Sequence, residues 1–318
     1  MSSAERHDHH HDHVAGHGHR HGPGHAHAPA GFGRAFAISA ILNIALVIAQ
    51  IVYGVIANSV ALLADAGHNF GDVLGLLLAW AAHSAAQWRP TKRYTYGFRS
   101  APILAALLNS LVLLVATGAI VWEAIRRLWE PGEVAGLTVM IVAAIGIAVN
   151  GFSAALLMAG RKSDLNIRGA FLHLLGDAGV SVAVVLAGAA IYFSHWYWLD
   201  PVMSLIVSAL IVWGTWDLLR ESFQLSLGAV PGAIDHAKVE DYLSSLSGVT
   251  EVHDLHIWAM STTETALTVH LVRPDAGPDD AFLGETVEEL ARRFGIHHAT
   301  IQVEQGVRVC NLAPAHVV

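Results

Sequence analysis

Charge and sulfur are both scarce in this sequence. Only 14% of the 318 residues are Asp, Glu, Lys or Arg, against 54% hydrophobic, too apolar for an ordinary soluble chain of this length. The single cysteine, Cys310, excludes an internal disulfide and a thiolate metal cluster and is compatible with a reducing cytosol. HExxH is absent, and with it the helix signature of a zinc peptidase, so an enzyme is not expected. There is no basic stripe with interleaved aromatics, which argues against a nucleic-acid partner. The amino terminus lacks a basic stretch leading at once into a short apolar core and a small-residue cleavage site, so no secretory signal is expected. The scarcity of charge is uneven. Between residues 36 and 88 the only formally charged side chains are Asp65 and Asp72, whereas the chain beyond Gly228 is richly charged. A bilayer domain should come first and a soluble domain last.

Residues 7 to 27 hold ten histidines among Gly, Ala and Asp. With almost nothing apolar to bury, residues 1–30 read as a disordered His-rich lead that chelates metal. Its interruptions by Asp and Gly set it apart from an engineered tag. Six runs, 36–56, 60–84, 101–125, 137–160, 169–193 and 201–219, then match the roughly 20 residues needed to cross a bilayer. Residues 31–222 are thus expected to form a six-transmembrane-helix bundle in lipid, an α-helical membrane protein. Arg89, Lys92, Arg93 and Arg99 lie between runs two and three, and Arg161, Lys162 and Arg168 between four and five. The one-to-two and five-to-six loops carry no Lys or Arg. By the positive-inside rule both termini face the cytosol; Arg126 and Arg127 oppose this and are outnumbered. Trp196, Tyr197 and Trp198 suit an outer aromatic belt.

After Ser222 the texture becomes helix 235–246, strands 249–259 and 265–272, helix 280–294 and strand 299–304. This order is that of an α+β ferredoxin-like domain over 223–306, with 307–318 as a tail.

The informative feature lies inside the second run, LLADAGHNFGDVLGLLLAW. Ionisable groups in lipid are costly and usually functional. His68 and Asp72 are four apart and share a helix face. FLHLLGDAG in the fifth run repeats the pattern with His173 and Asp177. Two such pairs supply four ligands of the types and number that tetrahedral Zn2+ takes. The alternative is that each His bonds to its own Asp and locks helix packing, or that the four form a proton relay. Neutral His binds metal and protonated His does not, so a site opened alternately to each side would exchange a divalent cation for H+. Asp65 shares their face, either as an acceptor orienting His68 or lining the access path, or as a carboxylate in a wet vestibule near the helix start. Asn43, Gln50 and Asn150 read as interhelical links or cavity lining. In the soluble part, His253, Asp254 and His256 of VHDLHIW, with His270, His297 and His298, raise the question of a regulatory metal site. Cys310 is either a stray thiol or a ligand from the tail.

DAGHNFGD, RYTYGFRSAPILAALLNS, LNIRGAFLHLLGDAGVSV, WLDP, VHDLHIW and HHATIQVE, taken in order, resemble the cation diffusion facilitator family of zinc transporters over residues 36 to 304. The resemblance implies a homodimer, Zn2+ efflux coupled to proton uptake, and handling of Cd2+ or Co2+ by related members. For a bacterial chain it implies a multi-pass protein of the inner (cytoplasmic) membrane. It places the transport site on His68, Asp72, His173 and Asp177, and cytosolic ligands on His253 and His270, with His256 as a further candidate. At the last strand, where some members have a His and an Asp, this chain has Gln302 and Glu304.

Overall fold

The computed structural model describes residues 30–158, 165–274, 279–308 and 310–313. The expected His-rich lead lies outside the described residues. Six long helices come first: α1 Ala30–Ile56, α2 Val60–Ala86, α3 Ala101–Trp129, α4 Gly136–Leu157, α5 Leu165–Ser194 and α6 Leu199–Ser226. Five of them, all but α2, are long and apolar enough to cross a membrane. At 27 residues α2 equals them in length, but Asp65, His68, Asn69 and Asp72 dilute its apolar surface. It is therefore kept inside, packed against α1, α3 and α6.

The bundle is polar within and apolar without. Gln50, Asp65, Asn150, Ser153 and Ser181 are fully buried, whereas Trp122, Trp129, Phe193 and Trp213 are largely exposed. That is the distribution expected where hydrocarbon is the solvent and polar groups must find partners or cavities inside. α4 packs along α5 and α3 along α6, while α2 and α5 touch only sparsely.

Glycine permits the tightest of these contacts. A Cβ on Gly188 of α5 would stand 2.9 Å from the Met140 nitrogen and 3.2 Å from the Gly136 carbonyl of α4. Gly188→Ala should push the two helices apart and cost about 1–3 kcal/mol, as overpacking does elsewhere. Thermal unfolding in detergent checks this; an unchanged midpoint would mean the helices slide at no cost.

From Ser226 the chain passes to α7 His236–Ser244, β1 Glu251–Ala259, β2 Thr265–Val272, α8 Asp280–Phe294 and β3 Ile296–Glu304. The sheet order is β1-β2-β3, antiparallel then parallel, with α8 as the crossover. Asp235 and Asp279 cap the two helices, each accepting from a first-turn backbone N–H, and Gly295 ends α8 in the left-handed conformation that favours glycine. Leu267, Val269 and Leu271 of β2 join Leu243 and Leu290 of the helices in one core. The sheet's other face therefore carries Thr268, His270 and Val272. Two contacts join this domain to the α2–α3 loop: Arg99 pairs with Glu264, and the Tyr96 and His298 rings meet edge to face at 5.6 Å.

Candidate metal centres

The α1–α2 turn is tight, and α2 starts at a fixed point. Ser59 caps it by accepting from the Leu62 N–H at 3.1 Å. Asp200, at the start of α6, accepts from the Ser59 hydroxyl at 2.5 Å and from the Val60 N–H at 2.7 Å. Two and three turns on from this anchor stand His68 and Asp72. Facing them on α5 are His173 and Asp177.

The expected four come together. One ligand atom from each of His68, Asp72, His173 and Asp177 lies within 4.8 Å of every other. His68 Nε2 is 3.2 Å from Asp177 Oδ1, and His173 Nε2 is 3.1 Å from Asp72 Oδ2. Within each helix the pairs are looser, 3.9 Å for His68–Asp72 and 3.6 Å for His173–Asp177. Each imidazole thus approaches the other helix's carboxylate more closely than its own. That is not the arrangement of two self-contained His–Asp locks. Bonds of ~2.0–2.1 Å directed to a tetrahedron set ligand atoms about 3.4 Å apart, and the four measured separations bracket that value.

A cavity of about 430 Å³ is lined by Ser39, Asn43, Asn109 and Leu157 and reaches Asp72, His173 and Asp177. Its lining comes from the halves of α1, α3 and α4 nearer the sheet domain. On the far side the site meets a polar knot: Gln50 Nε2 donates to Asp65 Oδ2 at 2.5 Å, and Asn69 Nδ2 donates to Gln50 Oε1 at 3.2 Å. Beyond the knot, Ala57, Leu62, Val134, Val139 and Ile191 close the bundle. Of the other polar residues singled out in the sequence, Asn43 donates to the Ser39 carbonyl at 3.0 Å and faces the cavity. Asn150 is buried with neither side-chain polar atom bonded.

A second cluster lies in the soluble domain. Ligand atoms of His253, His270, Glu304 and Cys310 also lie within 4.8 Å of one another. His253 and His270 are paired across β1 and β2, on the sheet face away from the helical core. Glu304 Oε1 is 3.1 Å from His270 Nδ1, and Cys310 Sγ is 3.6 Å from the same nitrogen. Burial alone would raise the Glu304 carboxyl, but bonds from Gln302 and Cys310 and the neighbouring imidazoles hold it below the usual range. His256 stands outside this group: its Nε2 is 2.8 Å from Asp254 Oδ1. His297 and His298 are exposed on β3. Sequence reasoning noted Glu304 and Cys310 without joining them to the two histidines. The hint that could have joined them is the even spacing of Gln302 and Glu304 on a strand beside His270.

Comparison with known proteins agrees with this architecture. A family described as "Cation efflux transmembrane domain" matches residues 36–225, and "Cation efflux protein, cytoplasmic domain" matches 231–306. The metal cation efflux system protein CzcD of Cupriavidus metallidurans is 36% identical over 275 residues, 86% of this chain and 87% of that one. The zinc transporter ZitB of Pectobacterium atrosepticum is 34% identical, covering 86% of each. A cadmium, cobalt and zinc/H(+)-K(+) antiporter of Bacillus velezensis is 34% identical over 85% of this chain and 88% of its own. Among solved structures, the metal-bound C-terminal domain of CzcD from C. metallidurans matches at 42% identity, covering 22% of this chain and 99% of that one, with a TM-score of 0.21. With both family descriptions covering nearly all of its described length, the chain belongs to the cation diffusion facilitator family of divalent-metal efflux transporters, and it is not an enzyme.

Proposed function

We propose that this protein exports Zn2+ from the cytosol in exchange for protons through His68, Asp72, His173 and Asp177, with Cd2+ and Co2+ as alternative cargo. It would work as a homodimer in a bacterial inner membrane with both termini cytosolic. The observation that carries the reading is the spacing of the four ligand atoms, 3.1 to 3.9 Å across the measured pairs. Two neutral imidazoles and two carboxylates make a neutral complex with a divalent ion, which suits a site inside lipid. Protons compete for the same nitrogens, so a falling pH on the open side expels the metal. The cavity on the sheet-domain side favours loading from the cytosol, while the apolar closure beyond Gln50 and Asp65 prevents leak. Sparse contact between α2 and α5 leaves room for the site to be exposed alternately. Arg126 and Arg127, both tied to Glu123, count against the orientation and are outnumbered by the basic residues of the α2–α3 and α4–α5 loops.

The test is Zn2+ flux in vesicles reconstituted with the full chain under an imposed pH gradient. Flux should follow the gradient in magnitude and sign. Flux indifferent to the gradient would remove proton exchange from the reading; absence of any flux would remove transport.

His253, His270, Glu304 and Cys310 are proposed as a resident cytosolic metal site that regulates transport. Cys310→Ser should weaken metal binding at this site by about tenfold or more, since a hydroxyl is a poor substitute for thiolate. Calorimetry on full-length protein carrying His173→Ala, with the ten histidines of residues 7–27 replaced by alanine, isolates that site. Equal affinity with and without the thiol would remove Cys310 from the ligand set.

A further inference from the structure

Asp65 is not one of the four ligands, yet it is completely buried in the bundle. Its Oδ2 accepts from Gln50, its Oδ1 makes no well-formed hydrogen bond, and the Ser181 hydroxyl of α5 is near enough to act as a second neutral donor. A carboxylate so placed, with two neutral donors and no cation bonded to it, is short of the partners a buried charge requires. The knot around it admits nothing bulky: a Cβ on Gly146 of α4 would stand 3.0 Å from Ser181 Oγ and 3.7 Å from Gln50 Nε2. His68 Nδ1, one turn along α2, is also buried and unbonded.

Its position along the helix gives this under-coordination a direction. α2 starts at the α1–α2 turn beside the start of α6, and α6 ends where the chain enters the sheet domain. The turn is therefore at the face away from that domain. Asp65 lies about 4.5 Å nearer that face than His68, at 1.5 Å per residue. The cavity reaches Asp72, His173 and Asp177 from the opposite side. Asp65 is consequently the first acidic group met beyond the site on the way out.

We propose that Asp65 is a release-side station for the transported cation: its unbonded oxygen takes a share of the ion's coordination as the ion leaves the four-ligand site. The Gln50–Asp65 bond, joining α1 to α2, holds the other oxygen in place. A carboxylate oxygen is a ligand for the same divalent class that the His–Asp site takes. The inference rests on the proposed transport site but not on proton coupling.

Asp65→Asn keeps the shape and an acceptor for Gln50 while removing the charge. Two quantities are read on full-length protein: Zn2+ binding by calorimetry in detergent, with Cys310→Ser and His253→Ala silencing the cytosolic cluster and alanine replacing the ten histidines of residues 7–27, and the initial rate of Zn2+ transfer in vesicles. Binding within about threefold of the parent and transfer slowed at least about tenfold, the worth of one lost charge contact near 1.4 kcal/mol, are expected. Unaltered transfer in Asp65→Asn overturns the proposal. So does loss of Zn2+ binding in that variant, which makes Asp65 a support of the four-ligand site or of the fold. A parent protein that binds Zn2+ but moves none counts instead against the transport reading itself.

Discussion

Asp72→Ala and His173→Ala should each reduce Zn2+ transfer to background while leaving thermal stability close to that of the parent. Both side chains line the cavity and are partly exposed, 34% and 45%, so truncation leaves little void and no buried partner stranded. Asp177, only 6% exposed, is the less clean choice because its removal also empties a packed position. Taking away one of four ligands should weaken Zn2+ binding by more than about 100-fold, the upper range for disturbing a merely supporting group. The packing alternative predicts the reverse: a lowered unfolding midpoint and transfer scaled to the surviving folded protein. The geometry already favours the transport reading, because the short contacts run between helices, 3.1 and 3.2 Å, and the long ones within them. Undiminished transfer in either variant would remove the proposed site.

How much of this was legible in the sequence depends on the period of each element. His68–Asp72 and His173–Asp177 are helical neighbours four residues apart, so a helix alone puts each pair on one face, and two such pairs in otherwise apolar runs could be read as one site. The cytosolic cluster was harder. In a regular strand His253 and Ile257 point to the same face. In β1 they do not, because a bulge between His253 and His256 inserts an extra residue against β2, with Asp254 at φ 52°. The bulge sends Ile257 into the core beside Leu267 and leaves His253 on the opposite face beside His270. Alternation counted through VHDLHIW could not give that. Cys310 joins through the tail after β3, which carries no periodic signal. α2 shows the converse case, where the polar groups of the candidate site are the ones that leave it, unlike the other five long helices, without a stretch apolar enough to read as a membrane span.

Asp200→Ala should be the most damaging change outside the ligand set, although Asp200 stands at the edge of the bundle and touches no cargo. Its carboxylate is 1% exposed and joins the start of α6 to the start of α2, with one oxygen on the Ser59 hydroxyl and the other on the Val60 N–H. Alanine would strand both donors at a buried helix start, where neither lipid nor the α1–α2 turn offers a replacement. Loss of the cap and of one buried charge-assisted bond together should cost about 2–4 kcal/mol. Asp200→Asn should restore part of it, because the amide oxygen can accept from the Val60 N–H and the Ser59 hydroxyl can turn to accept from the amide nitrogen, while the charge is lost. The functional loss should exceed the loss of folded protein. His68 and Asp72 are placed by the same helix start, and a shift of half an ångström there is comparable with the spread among the four ligand separations. Thermal unfolding in detergent and Zn2+ transfer per folded molecule separate the two effects. A variant with parental midpoint and parental transfer would show that α2 is held in register by its packing against α3 and α6 alone.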